Sequence, residues 1–298
     1  MLHGLSHLRP KAGTSRAQKI ALLAVFCLLT AFWAIVDANP PSPGAATEPR
    51  RLPVPYAFEK SETVTYQARW NGIPVATAEV QGTPLSIEGK RFYHVEIQAK
   101  TMSLIDYVWQ MRDTITSTFD TKTFQPHRFV FLQRENRRST DTTATFDQDK
   151  NRWSVQRQRG SKLARFDFTS SSTLDPITAA YILRSIDLKV GDRLQFDVFG
   201  GKSRYLLTLD VVGRETITLN SSPIDTYKIV PQVRNVTKEG YSQRVRQATV
   251  WVSADERRIP LRIVSKVFIG SVHMELQKDS VQLKKAAAPK LAATTSLQ

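Results

Sequence analysis

The sequence holds one cysteine, Cys27, in 298 residues. No internal disulfide and no cysteine-based metal cluster can form. Five histidines (His3, His7, His94, His127 and His273) leave little material for a histidine metal site. There is no G-x-S-x-G, no H-E-x-x-H, no Walker lysine loop and no C-x-x-C. Most enzyme classes that declare themselves by motif are thereby excluded, and no cofactor is expected. Acidic residues are also short, with 27 Asp+Glu against 42 Lys+Arg and a formal net charge of +15. Such an excess raises nucleic acid, membrane surfaces and anionic polymers as partner classes. Hydrophobic residues make up 41% and aromatics 9%, which supports a real core and excludes global disorder.

The N-terminus reads as an address. Arg9, Lys11, Arg16 and Lys19 precede Ile20–Val36, an uncharged stretch in which only Thr30 is polar. Val36-Asp37-Ala38 is a small-x-small pattern suited to cleavage after Ala38. A signal core runs ~7–15 residues and a spanning helix ~17–25. Residues 1–38 therefore read either as a cleaved export signal or as a single membrane anchor through 20–36. The preceding positive charge orients the remainder out of the cytoplasm. Phe26, just before Cys27, does not suit a lipidated cysteine, so Cys27 reads as an apolar residue of the segment. Residues 1–38 carry +3, so the exported part carries 15 − 3 = +12.

Residues 39–55, with six prolines, read as an extended linker, and 284–298 as a disordered tail. Residues 56–283 read as one domain. Within it apolar residues alternate with a period of two almost throughout. Val64, Tyr66, Ala68 and Trp70 share a face, and Asn71-Gly72 suits a type I′ hairpin turn. Tyr107 to Phe119 reads as one aromatic-rich strand, and Ser203 to Val212 and Glu215 to Leu219 as two separate ones. Roughly fifteen short strands predict an all-β, antiparallel, barrel-like or half-open barrel or sandwich fold. One short helix interrupts them at about 175–185, with Asp175 as cap and Pro176 at its first position. It reads equally as a plug or lid and as a plain connector.

Four phrases in order resemble one family. They are Phe58-Glu59 with Glu62, Val64, Tyr66 and Trp70-Asn71-Gly72-Ile73-Pro74-Val75-Ala76; Tyr107 to Asp113 with Phe119-Asp120; the helix with Gly191-Asp192; and Trp251 to Asp255 with Ile259-Pro260-Leu261-Arg262, Gly270 and Glu275-Leu276. Over about residues 56–283 the chain resembles the domain-of-unknown-function 3108 family of exported bacterial proteins. The resemblance implies an antiparallel β fold and a Gram-negative envelope location, hence the periplasm, with or without an inner-membrane anchor. It implies no activity.

The chemistry is thin. His94, His127 and His273 each stand alone. Asp106 and Asp113 differ by seven, so on one regular strand they face opposite sides, which argues against a glycosidase-like pair. An inward Asp113 is expected to pair with an arginine. The basic residues carry the clearest signal. Arg128 to Arg165 holds ten basic and four acidic residues, a net of +6. Trp153 and Val155 share a face with Arg157 and Arg159. Arg134, Trp153, Arg157, Arg159 and Arg165 are the candidate ligand-binding residues, for phosphate or carboxylate on a ligand with an apolar body. Export argues against nucleic acid and leaves anionic envelope lipid or polymer, or an envelope protein. Three functions remain: a non-catalytic binding module for an anionic amphiphile, a scaffold docking a partner through its basic aromatic face, and, least supported, an envelope hydrolase.

Overall fold

A computed structural model describes residues 58, 60–236, 248–267 and 270–279. The segments read as an export signal or anchor (1–38), a linker (39–55) and a tail (284–298) lie outside the described residues. Among those described, no helix is long and apolar enough to cross a membrane.

Eight strands come first: β1 (Glu62–Trp70), β2 (Ile73–Ile87), β3 (Lys90–Thr101), β4 (Arg112–Asp120), β5 (Pro126–Glu135), β6 (Arg138–Asp147), β7 (Arg152–Arg159) and β8 (Lys162–Thr169). A short helix α1 (Ser103–Asp106) lies between β3 and β4. Then follow β9 (Thr173–Leu174), helix α2 (Pro176–Arg184), β10 (Arg193–Phe199), β11 (Arg204–Leu219), β12 (Ser222–Asn235), β13 (Ala248–Ser253), β14 (Pro260–Lys266) and β15 (Ser271–Asp279). All fifteen form one sheet in the order β8-β7-β6-β5-β4-β3-β2-β1-β15-β14-β13-β12-β11-β10-β9. Two antiparallel meanders thus meet where β1 pairs β15, and the one parallel pair is β9 with β10.

The edges of this sheet, β8 and β9, are consecutive in the chain with only residues 170–172 between them. Four extended Cα steps reach at most about 14 Å. The sheet must therefore curl until its edges approach. Aromatic side chains fill the seam: Trp153 and Phe168 lie 5.9 Å and 5.2 Å from Phe199 across it. The result is the expected half-open barrel, closed by ring packing rather than by a hydrogen-bond ladder.

Tight turns make the meander. Asn71 and Gly72 have φ of 45° and 86°, the pair of positive values that a type I′ turn needs. Asn136-Arg137 and Asn220-Ser221 turn likewise without a glycine. Gly82, mid-β2, has a different purpose. A Cβ there would sit 2.5 Å from the Tyr93 hydroxyl, so the absent side chain lets that buried ring lie over the strand.

Helix α2 lies on the concave face against β4 and β10. It is buried nearly all round, from Ile177 to Arg184, as a helix inside a curled sheet must be. Asp175 caps it, accepting from the backbone of Ile177 (2.9 Å) and Thr178 (3.0 Å). The hydroxyls of Ser117 (2.8 Å) and Thr178 (2.6 Å) complete that carboxylate's shell. At the other end Arg184 grips Glu62 of β1 with two guanidinium bonds of 2.5 and 2.9 Å. Tyr181 donates to the same carboxylate at 2.8 Å, and Arg184 Nε donates to the Arg257 carbonyl at 3.1 Å. Burial works to raise the Glu62 pKa, but the charge and hydrogen bonds of Arg184, the Tyr181 hydroxyl and the Arg257 charge outweigh it and hold the carboxyl below its usual range.

Two local expectations need correction. Tyr107 to Phe119 is not one strand: the chain folds out as α1 and re-enters the sheet only at Arg112. Asp106 causes this by binding the Arg112 guanidinium at 2.6 Å and accepting from the Thr101 hydroxyl, which closes the excursion at its base. Tyr107 is left 91% exposed. Conversely, the two strands read at 203–212 and 215–219 are one, β11, with a register shift between Val211 and Gly213.

Breaking the buried ion pair from one side is costly. Arg184→Met leaves the Glu62 carboxylate buried and should lower stability by about 3–5 kcal/mol in urea unfolding. Adding Glu62→Leu should recover most of that loss. Gly82→Ala should cost about 1–3 kcal/mol by displacing Tyr93.

Candidate functional site

In an antiparallel pair, residues directly opposite each other share a face. On β7 and β8 the pairs are Trp153–Phe168, Val155–Phe166, Arg157–Ala164 and Arg159–Lys162. All eight lie on the concave face, because Trp153 and Val155 are core residues. This strip changes character along its length. It starts at buried aromatics, passes through Val155 and the half-exposed Phe166, and ends in exposed cations. Strand β6 follows the same gradient from Phe146 and Ala144 to Thr142 and Thr140.

The aromatic end is tightly built. Trp153 stacks on Phe168 at 5.9 Å and 11°, and Phe146 lies 5.3 Å away. The indole Nε1 is buried with no hydrogen-bond partner among the described residues. Arg204 lies 5.5 Å over the Phe168 ring and pairs with Asp197, which roofs the seam with a neutralised cation.

The cationic end centres on Arg157. Its guanidinium donates to the Thr142 hydroxyl at 2.8 Å. No carboxylate lies within ion-pair distance of it among the described residues. Burial, and secondarily Arg159, pull its pKa down, so an anion here would relieve both penalties.

Two carboxyls stand at the lower ends of β4 and β5. Asp113 is buried, and the expected arginine side chain is not its partner. It accepts the backbone N–H of Arg134 at 2.8 Å, while the Arg134 guanidinium pairs with Asp141. The inward acid–arginine pair of this protein is instead Glu62 with Arg184. Burial pushes Asp113 up to about 6. Burial and the Asp113 charge push Glu135 up to about 7.

Of the five candidate residues, the register brings Trp153, Arg157 and Arg159 onto one face. It places Arg165 opposite Gln156, and Arg134 beside Ser139 and Asp141, on the convex face. The two-residue turn Gly160-Ser161 was the available signal, since it alone sets Arg165 against Gln156. Phe166 and Phe168 belong to the site and were not among the candidates. They emerge only once β7 and β8 are paired. Among the described residues no three His, Cys, Asp or Glu side chains gather as a metal site.

A family model described as a protein of unknown function, DUF3108, matches residues 65–277. No curated protein matches the chain. Among solved structures, a beta-barrel-like protein of the domain of unknown function DUF1849 from Brucella abortus is 10% identical, with a TM-score of 0.48. The match covers 74% of this chain and 97% of that one. A candidate lipoprotein from Parabacteroides distasonis is 8% identical with a TM-score of 0.35, covering 78% of this chain and 100% of that one.

Asp113 and Glu135 hold their protons in the folded state above the pH at which the unfolded chain releases them. Their stabilising contribution is complete below about pH 4. It is lost as pH rises through about 6 for Asp113 and about 7 for Glu135. Thermal midpoints should therefore fall between about pH 5 and about pH 8. Asp113→Asn and Glu135→Gln, scanned by calorimetry, should flatten that fall.

Proposed function

The chain belongs to the DUF3108 family of proteins of unknown function, and on that premise we propose that it is a non-catalytic envelope module that binds an amphiphile bearing an anionic group. The observation that carries this reading is the graded strip on β7 and β8. Its apolar end matches a hydrocarbon body and its cationic end matches a phosphate or carboxylate. Arg157 is the recognising residue, half-buried and bonded to an alcohol rather than to an acid. Phe166 is the wall on which the apolar body lies, and Arg159 is the outer cation. Residues 1–38, read as an export signal or a membrane anchor, favour a ligand in the periplasm, where anionic lipids and envelope polymers are the available polyanions.

One observation favours the scaffolding alternative. Strand β8 is an edge strand, exposed along nearly its whole length, with Leu163 and Phe166 both open to solvent. A partner strand could extend the sheet there.

The two readings separate in a fluorescence titration with a single-chain anionic phospholipid and its zwitterionic counterpart, both below micellar concentration. The wild-type protein should prefer the anionic lipid. Arg157→Gln should weaken that binding by about tenfold to a hundredfold, the worth of a hydrogen bond to a charged group. Its thermal midpoint should stay near wild type. Equal binding by the variant and wild type, or no binding of either lipid, would remove Arg157 from ligand recognition and leave the β8 edge as the functional surface.

A further inference from the structure

The excursion between β3 and β4 exposes Leu104 (74%), Tyr107 (91%) and Val108 (65%). Large apolar side chains this open are not needed for folding, since removing them from the sheet costs burial. The tip is nonetheless built. Trp109, 2% exposed, anchors it in the core, and its N–H bonds the Ile105 carbonyl at 2.8 Å. Met102 N–H bonds the Val75 carbonyl at 3.0 Å, tying the tip to the start of β2, where Ile73 is also exposed. On the other side Gln110 and Asn136 exchange backbone and side-chain bonds of 2.9 and 3.0 Å, which docks the β5–β6 turn beside it.

That turn supplies the second observation. It presents Arg137, at a φ of 64° that favours glycine or asparagine, followed by Arg138. The β7–β8 turn adds Arg159 and Lys162 at the same end of the sheet. The ion pairs of this end use Arg112 with Asp106 and Arg134 with Asp141. The four other cations have no carboxylate within ion-pair distance among the described residues. An apolar, tyrosine-bearing point flanked by arginines that make no close ion pair, Arg138 having only the charge of Glu135 opposite it, is complementary to one kind of surface, an anionic bilayer with its headgroups outside and hydrocarbon beneath.

We infer that this end of the barrel docks on a membrane containing anionic lipid, with Leu104, Tyr107 and Val108 entering the interfacial region and Arg137 and Arg138 holding headgroup phosphates. The docking end and the ligand strip meet at Arg159 and Lys162, but neither Arg157 nor Trp153 takes part in the docking.

The test uses the full chain with Cys27→Ser, Tyr107→Cys carrying an environment-sensitive fluorophore, and Glu88→Cys as the control at the opposite end. Vesicles of phosphatidylcholine alone, or with phosphatidylglycerol, carry a quencher high in the acyl chain. The label at 107, but not at 88, should be quenched, and only when phosphatidylglycerol is present. Arg137→Gln with Arg138→Gln should lose most of that quenching. Equal quenching at 107 and 88, or quenching that ignores phosphatidylglycerol, would overturn the inference. So would a lipid-independent, concentration-dependent shift at 107, which would mark contact with a second copy instead. Arg157→Gln should quench as wild type, so failure here and failure of ligand binding are told apart.

Discussion

The three residues between β8 and β9 constrain everything else. They join the two edges of a fifteen-stranded sheet, so the sheet cannot lie open and flat. Curling creates a concave face, and a concave face must be filled. Helix α2 fills part of it, entering directly after the seam. A buried helix brings unsatisfied ends with it. Asp175 at one end, and Ser185 at the other with its hydroxyl donating to the Tyr181 carbonyl and its N–H to that of Ile182, answer that demand, while two carboxyls, Asp175 and Glu62, tie the helix to the sheet. Each is saturated: every oxygen of the Asp175 carboxylate has a donor, and Glu62 takes two guanidinium bonds and a phenol.

Polar groups on the concave face thus fall into two populations. The carboxyls around α2, Asp175 and Glu62, have every oxygen bonded and hold the fold. Those towards the lower ends of β4 to β8 are under-partnered: Asp113 with one backbone donor, Glu135 raised by burial, and Arg157 resting on a threonine. Incomplete pairing in a half-buried setting leaves capacity for a ligand. The same end carries the apolar tip, so the proposed ligand strip and the proposed docking surface adjoin at Arg159 and Lys162. A protein that exchanges an amphiphile with a bilayer needs that proximity.

Much of this could be seen in the sequence. Period-two alternation and Asn71-Gly72 are local signals and gave the strands and the first hairpin. Asp175-Pro176 marked the helix start because capping is also local. The face shared by Trp153, Val155, Arg157 and Arg159 follows from strand geometry alone. Other features depended on pairing that spans the chain. Glu62 and Arg184 lie 122 residues apart, and nothing near either residue names the other. An inward Asp113 was expected to find an arginine, but its donor is a backbone N–H from the next strand, which leaves no mark in residue types. The outward turn at Tyr107 was hidden by an aromatic run that mimics a strand.

The sequence by itself determined the class of fold, the position of the helix and the concentration of positive charge in the strands from Arg128 to Arg165. These are properties of neighbours, and neighbours constrain each other through backbone periodicity. The tertiary structure alone decided which of those charges face a common surface. It separated Arg157 and Arg159 from Arg134 and Arg165, joined β1 to β15, and brought Phe199 onto Trp153. The reason is physical: a sheet's faces are set by cross-strand register, and a one-residue change of register exchanges every side chain between them.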